Sequence, residues 1–393
     1  MIRPHGGKLV KRVADEQQKE KLKEEAKEFP VIEISRDAAL DAENIGFGIY
    51  SPLEGYMGCD DFESVIWRGR LENDLPWTVP IVLDVDGSGI EVREGDTVLL
   101  THRGVTVAVM EIEELFSFSK KEYARQVFGT EDIQHPGVRK VFSLRDRLAG
   151  GRITFIESAD KRFEEYDFKP EETREIFKKW DYVVGFQTRN APHLGHEFVQ
   201  KSAMLAVEAV TGGEVGLFIN PVIGRKKKGD FRDEVILEAY KTVIEHYYRP
   251  NKVFLGIWKT EMRYAGPKEA ILHAIVRQNF GCTHFVVGRD HAGVGSYYRP
   301  YEAHEIFREY EGELEIQPLF FKDFHCCDIC GGVVSVSICP HNGVKFSGTC
   351  VRNCIQNSEA MPCEMLRKEV IDVISKFEKP FVEEEYEIEL RAN

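Results

Sequence analysis

The chain has 393 residues, 42% hydrophobic and 30% charged, and its 52 basic against 66 acidic side chains leave a net charge of −14. That composition excludes a disordered or fibrous chain, and the acidic balance argues against binding nucleic acid through its phosphates. No apolar run reaches the ~18 residues of a membrane span. The N-terminal MIRPHGGKLVKRV lacks the apolar core of an export signal. A cytoplasmic protein of two or three domains, with no nucleic-acid or membrane partner, is expected.

Residues 15–29 are a charged run with helical periodicity, expected as a solvated surface helix. Between Ile45 and Ile156, apolar stretches at 78–85, 96–101 and 105–112 alternate with turn signals such as Asp86-Gly87-Ser88-Gly89. That punctuation predicts a mainly β domain. A polar connection at 161–179 carries a helix. Strands at 182–186, 215–219, 253–257 and 284–287 then alternate with helices at 196–210, 234–248 and 268–278. Such alternation predicts a parallel sheet covered by helices, with ligands bound beyond the carboxyl ends of its strands. The loops after Phe186 and Val287 are therefore the places for a site.

The first of these loops reads Gln187-Thr188-Arg189-Asn190-Ala191-Pro192-His193-Leu194-Gly195-His196-Glu197. A polar loop feeding a helix offers free backbone N–H groups to an anion. His193 and His196 are three apart and can face one side of the first turn, and Gly195 leaves room for a phosphate beside the backbone. A lone histidine is more often structural. Two histidines, an arginine and a glycine on one strand–helix loop point instead to charge stabilisation during phosphoryl transfer.

Cysteine usage is local: seven of nine lie between Cys326 and Cys363, which fits a metal site better than a disulfide scaffold. Cys327-x-x-Cys330, then Cys339 and His341, have the ligand types and spacing of structural zinc. His341 is the chosen fourth ligand, with Cys326 and Cys350 as rivals; Cys354 and Cys363 are taken as structural. Arg225-Lys226-Lys227-Lys228-Gly229-Asp230-Phe231-Arg232 places five cations in one short loop. It is read as steering phosphate or diphosphate, against a solvated turn.

The H-x-G-H pattern resembles nucleotide-binding adenylyltransferases, and the eleven-residue string is similar to that of the ATP sulfurylase (sulfate adenylyltransferase) family. Gly288-Arg289-Asp290-His291-Ala292-Gly293 matches its G-R-D-H-A-G. Met262-Arg263-Tyr264-Ala265-Gly266-Pro267 with Glu269 and His273 matches its M-R-Y-A-G-P region. Ser347-Gly348-Thr349-Cys350-Val351-Arg352 resembles the segment that closes over nucleotide phosphates. Pro4-His5-Gly6-Gly7 and Ser51-Pro52-Leu53-Glu54-Gly55-Tyr56-Met57 are similar to its first domain.

The resemblance implies a PUA-like, mainly β domain over residues 1–165, a nucleotide-binding parallel α/β catalytic domain over 166–324, and a small zinc-associated domain over 325–393. It implies the reaction of ATP, accompanied by Mg2+, with sulfate to give adenosine 5′-phosphosulfate and diphosphate, by direct in-line attack on the α-phosphorus. Either direction is open, and relatives of this length are often homodimers. Thr188, Arg189, Asn190, His193 and His196 are the implied catalytic residues. Gln187, Arg189 and the Ala292 N–H are implied to hold sulfate. Gln187, Thr188, Asn190, His193, His196, Gly288, Arg289, Asp290 and His291 are implied to hold ATP, with loop capping an equal alternative for Asp290 and His291. PUA domains elsewhere bind RNA, a role the acidic charge disfavours here. The rivals are another H-x-G-H adenylyltransferase acting on a phosphorylated small molecule, and an RNA-binding protein with a zinc module. No G-x-x-x-x-G-K-[ST] string occurs, which excludes a fused P-loop kinase.

Overall fold

A computed structural model describes residues 2–25, 29–85, 91–346, 348–357, 359, 361 and 364–383. The 86–89 turn, Ser347 and Cys363 lie outside the described residues. The charged N-terminal run forms a helix, α1 (Glu16–Glu25).

The N-terminal sheet holds β1 (Val31–Glu33), β2 (Gly55–Tyr56), β3 (Leu83–Val85), β4 (Thr97–His102), β5 (Val105–Glu111), β6 (Glu114–Ser117) and β7 (Arg147–Phe155). Its main path runs β1-β4-β5-β7-β2, with β3 and β6 also paired to β7. The β4–β5 hairpin turns on Arg103 and Gly104, at φ 50° and 82°, the left-handed pair that a two-residue hairpin loop needs. Gly150 and Gly151 let β7 exchange partners along its length. A Cβ on Gly151 would stand 2.0 Å from the Glu111 carbonyl oxygen.

The predicted strand at 78–85 shrinks to β3. Proline at 76 and 80 removes ladder donors there, and the Thr78 hydroxyl bonds the Lys268 carbonyl instead. Helices α3 (Cys59–Arg68), α4 (Lys120–Phe128) and α5 (Pro136–Ser143) sit inside the stretch read as strand and turn, and α2 (Arg36–Gly46) overlaps its start. Their caps are local and legible. The Ser119 side chain accepts from the Glu122 N–H, and Pro136 opens α5.

The second region comprises α6 (Pro170–Phe177), β8 (Tyr182–Thr188), α7 (Leu194–Thr211), β9 (Val215–Ile223), α8 (Asp233–Tyr247), β10 (Val253–Leu255), β11 (Trp258–Lys259), α9 (Pro267–Phe280), β12 (His284–Val287), α10 (Glu302–Glu305) and β13 (Gln317–Phe320). The sheet is parallel throughout, in the order β10-β9-β8-β12-β13, with β11 extending along β9. The chain leaves β8 for β9 on one side and later returns to β12 on the other. That reversal opens a crevice at the carboxyl end of β8. Several predicted boundaries move: β9 runs on to Ile223 and β10 stops at Leu255. β8 includes Gln187 and Thr188, which pair with Asn220 and Pro221, and α7 starts at Leu194 rather than near His196.

A last unit contains β14 (Phe324–Cys327), β15 (Gly332–Ser335) and β16 (Val344–Lys345), in the order β15-β14-β16, then α11 (Gly348–Gln356) and α12 (Lys368–Ile374). Among the described residues no helix is long and apolar enough to cross a membrane.

One hydrophobic core runs from the N-terminal sheet into one face of the parallel sheet, joining Trp77 and Tyr50 to Trp258, Ile275 and Phe280. The other face packs α7, α8 and α12. Asn279, fully buried near the end of α9, fastens the two regions. Its Oδ1 accepts the His5 N–H at 2.9 Å, and its Nδ2 donates to the Ile49 and Ser51 carbonyls at 3.0 Å each. Asn279→Ala strands three buried backbone groups, each costing ~1–3 kcal/mol when unsatisfied. A loss of about 3 kcal/mol or more is expected in chemical denaturation, and a loss near zero would contradict this role.

Candidate functional site

β8 ends at the crevice, and there the chain turns through residues 189–192 into α7. His193 is the N-cap of that helix, and its Nδ1 accepts the His196 N–H at 3.1 Å. The proton of a neutral His193 is thereby confined to Nε2. The His193 and His196 rings stack with centroids 3.7 Å apart, and Phe346 lies nearly parallel to His193 at 5.5 Å. Loss of hydration holds His193 at about 4 and His196 well below the usual histidine range. Both are neutral at pH 7, able to offer an N–H but not a positive charge.

This geometry changes the reading of the helix terminus. The Leu194 N–H bonds the Met365 carbonyl at 2.8 Å and the His196 N–H is taken by His193, so of the first three helical amides only that of Gly195 is left without a partner among the described residues. Gly195 serves ring packing, because a Cβ there would meet Phe346 at 2.9 Å and His193 at 3.0 Å.

A cleft of about 510 Å³ opens over these rings and is lined by Gln187, His193, Gly195, His196, Gly288, Arg289 and His291. Lys322, Asp323, Lys345 and Phe346 form its other side. Local motifs gave no signal for these four beyond the adjacency of Phe346 to the S-G-T segment. The Gln187 Oε1 is buried and without a partner among the described residues. The Arg289 guanidinium is committed to Asp290 and, at 2.8 Å, to Asp323. Asp290 also turns its loop by accepting the Gly293 N–H on its backbone oxygen.

Thr188, Arg189, Asn190 and Ala292 stand beside this cleft, outside its lining. The Thr188 hydroxyl is occupied by Tyr240 at 3.2 Å and by the Asn190 backbone. The Asn190 Oδ1 accepts from Arg352 at 3.0 Å, which brings α11 onto the loop. The Arg189 guanidinium lies 5.4 Å from the Tyr264 ring centre. Burial works against its charge, yet Tyr264, Asp230 and Glu269 hold it above the ordinary arginine range. It does not pair with Glu197, whose carboxylate takes two bonds from Arg367 and one from Lys201. Among the described residues no carboxylate lies within ion-pair distance of Arg189. Ala292 and Tyr264 both adopt left-handed backbone, at φ 55° and 61°, and the Ala292 carbonyl accepts the Gly266 N–H at 3.1 Å. Strain of this kind, of order 1 kcal/mol or more per residue, collects at binding sites.

The basic loop divides. Arg225 faces Asp37 and Lys226 is buried against Asp233 at 3.1 Å, while Arg232 pairs with Glu234. Each of these three has an acidic partner within the fold. Lys227 stands 5.1 Å from the Tyr264 ring that Arg189 also meets, and Lys228 is exposed.

The Cys327, Cys330 and Cys339 sulfurs and one His341 ring nitrogen lie within 4.8 Å of one another. His341 Nδ1 is 3.6, 3.4 and 3.6 Å from the three sulfurs, and the Cys330 and Cys339 sulfurs are 3.6 Å apart. A tetrahedral ion with bonds of ~2.3 Å to sulfur has edges of about 3.8 Å, so the donor set fits such an ion. Cys326 and Cys350 are not in the cluster. The Cys330 N–H aimed at its sulfur lowers the Cys327 thiol below the usual cysteine range. Protein purified without chelator is expected to carry about one metal equivalent per chain, lost in Cys327→Ser and Cys330→Ser. Unchanged metal content in both variants would contradict the assignment.

Comparison with known proteins bears on what this site serves. A family profile described as ATP-sulfurylase matches residues 164–377, and one described as PUA-like domain matches residues 2–158. Proteins named sulfate adenylyltransferase from Thermococcus onnurineus and Pyrococcus abyssi are 50% and 49% identical over 386 residues, covering 97% of this chain and 99% of each relative. One of that name from Synechococcus is 39% identical, covering 95% of this chain and 96% of that one. A solved structure titled hexameric APS kinase from Thiobacillus denitrificans superimposes with a TM-score of 0.74 at 18% identity, over 96% of this chain and 68% of that one, and shows the shared fold. The chain belongs to the ATP-sulfurylase family.

Proposed function

We propose that the protein is a sulfate adenylyltransferase, converting ATP and sulfate into adenosine 5′-phosphosulfate and diphosphate, and the reverse. The observation that carries this reading is the near-half identity to proteins of that name across almost the whole chain. A sulfate oxygen bonds the α-phosphorus as the bond to diphosphate breaks in line, with no protein nucleophile and no proton required from sulfate. Catalysis is then positioning and charge stabilisation.

In this reading Gln187, Arg189 and the Ala292 N–H hold sulfate. Arg189 suits the task, with its cation uncommitted to any carboxylate among the described residues and its planar fork matched to two oxygens. His193 and His196 donate N–H bonds to the ATP phosphates, and Thr188 and Asn190 shape the loop between. The stretch from Gly288 to His291 takes the nucleotide, and Lys227 attracts the anions. Mg2+ bound to ATP would supply neutralisation of the phosphate charge. The Cys327, Cys330, Cys339 and His341 site holds structural Zn2+. The working division is residues 1–165, 166–324 and 325–393, in a cytoplasmic homodimer that binds neither nucleic acid nor membrane.

His193→Ala and His196→Ala are each expected to lower sulfate-dependent diphosphate release ~10²-fold or more with circular dichroism unchanged. Near-normal turnover in both would overturn their role. Arg189→Lys keeps the charge and loses the fork. It is expected to bind ATP normally yet lose most sulfate-dependent turnover, with poor rescue by added sulfate, because misorientation persists at saturation. Sulfate saturation curves matching those of the unaltered protein would refute the clamp.

A further inference from the structure

From the cleft inward, the half-buried His291 and the buried His273 and Glu269 form a line of titratable side chains. His291 Nε2 lies 3.0 Å from His273 Nδ1, and His273 Nε2 lies 3.3 Å from Glu269 Oε1, one turn back along α9. Glu269 and His273 are almost wholly removed from solvent. Glu269 is an acceptor on every side, taking the Arg263 N–H at 2.9 Å and the Ala265 N–H at 3.0 Å. These bonds and the neighbouring His273 keep it ionised against the cost of burial, which instead pulls His273 and His291 down to their neutral forms.

Proton placement follows by elimination. His273 Nε2 makes no aligned hydrogen bond among the described residues and has the Glu269 carboxylate 3.3 Å away; a bare lone pair facing that buried carboxylate is repulsive, so the His273 proton sits on Nε2. Its Nδ1 is then an acceptor, and the proton of the 3.0 Å contact comes from His291 Nε2. The remaining His291 nitrogen, Nδ1, is left bare, with no partner among the described residues, on a ring that lines the cleft and is edge-packed on Phe285.

We infer that Glu269 and His273 are positioning residues that fix the tautomer of His291, presenting its Nδ1 to the nucleotide as a hydrogen-bond acceptor for a ribose hydroxyl. Ionised phosphates and sulfate have no hydrogen to give, so a bare Nδ1 repels them and selects the nucleoside half of ATP. The inference rests on the adenylyltransferase reading for its ligand, but the tautomer does not.

Protein labelled with 15N-histidine tests it, with His291 and His273 assigned from His291→Gln and His273→Asn. Long-range proton–nitrogen spectra at pH 7 are expected to show both residues protonated at Nε2 and bare at Nδ1. Protonation of His291 at Nδ1 would overturn the inference whatever the activity. His273→Leu removes the acceptor, whereas His273→Asn places an amide oxygen near the Nδ1 position. The leucine variant is expected to lose about tenfold in kcat/KM for ATP, one hydrogen bond's worth, with the sulfate KM unchanged and asparagine restoring most of the loss. Unaltered protein is expected to prefer ATP over its 2′- or 3′-deoxy analogue, and His273→Leu to lose that preference. Retained discrimination in His273→Leu would overturn the ribose role. Absence of any diphosphate release from the unaltered protein would instead sink the enzymatic reading and leave the tautomer result standing.

Discussion

The reversal of strand order at β8 is the constraint on which the site depends. Because β9 and β12 flank β8 in parallel, the chain leaving β8 crosses open space rather than a covering helix. Gln187 and Thr188 are still held by the ladder to β9, so the first residues of the loop inherit the rigidity of the sheet. The loop beyond β12 reaches the same crevice from the opposite side, bringing Gly288 and His291 to face His193 and His196.

Burial and charge are then balanced so that the Arg189 cation stays clear of every carboxylate among the described residues. Acidic groups near the crevice have dedicated partners: Glu197 with Arg367 and Lys201, Asp233 with Lys226, and Asp323 with Arg289. Arg189 meets an aromatic face instead, an arrangement that keeps the guanidinium available without leaving it unaccompanied. The histidines answer the opposite need. Stacked and dehydrated, they stay neutral and add no charge to the cleft they line. The unit that carries the Cys/His cluster joins this arrangement through β16, which pairs with β14 beside Cys327 and leads directly to Phe346 on the His193 ring.

Much of this was legible in the sequence. The strand–helix alternation from 182 onward gave the parallel sheet, the Gln187–Glu197 string falls on the loop whose Gln187, His193, Gly195 and His196 line the cleft, and the cysteine spacing led to a four-donor cluster that includes His341. Failures have physical causes. Gln187 and Thr188 read as loop because polar residues at a strand end lack alternation, although the ladder still pairs them. Capping by a histidine ring fell outside the usual Ser, Thr, Asp and Asn signals, which displaced the start of α7. The basic loop looked like one patch because sequence cannot show that Asp37, Asp233 and Glu234 claim its members singly. Phe346 and Arg367 act on residues about 150 and 170 positions away, a separation that no local pattern reports. The helices α3 to α5 are a plainer miss, since their caps were present but short apolar stretches around them dominated the pattern.

The most direct measurement is diphosphate release from ATP by the purified chain with inorganic pyrophosphatase present to draw the reaction forward, comparing sulfate with a phosphorylated small-molecule acceptor. Release that depends strictly on sulfate, with one adenosine 5′-phosphosulfate formed per diphosphate, is the expected result. Release with the phosphorylated acceptor and none with sulfate would contradict it.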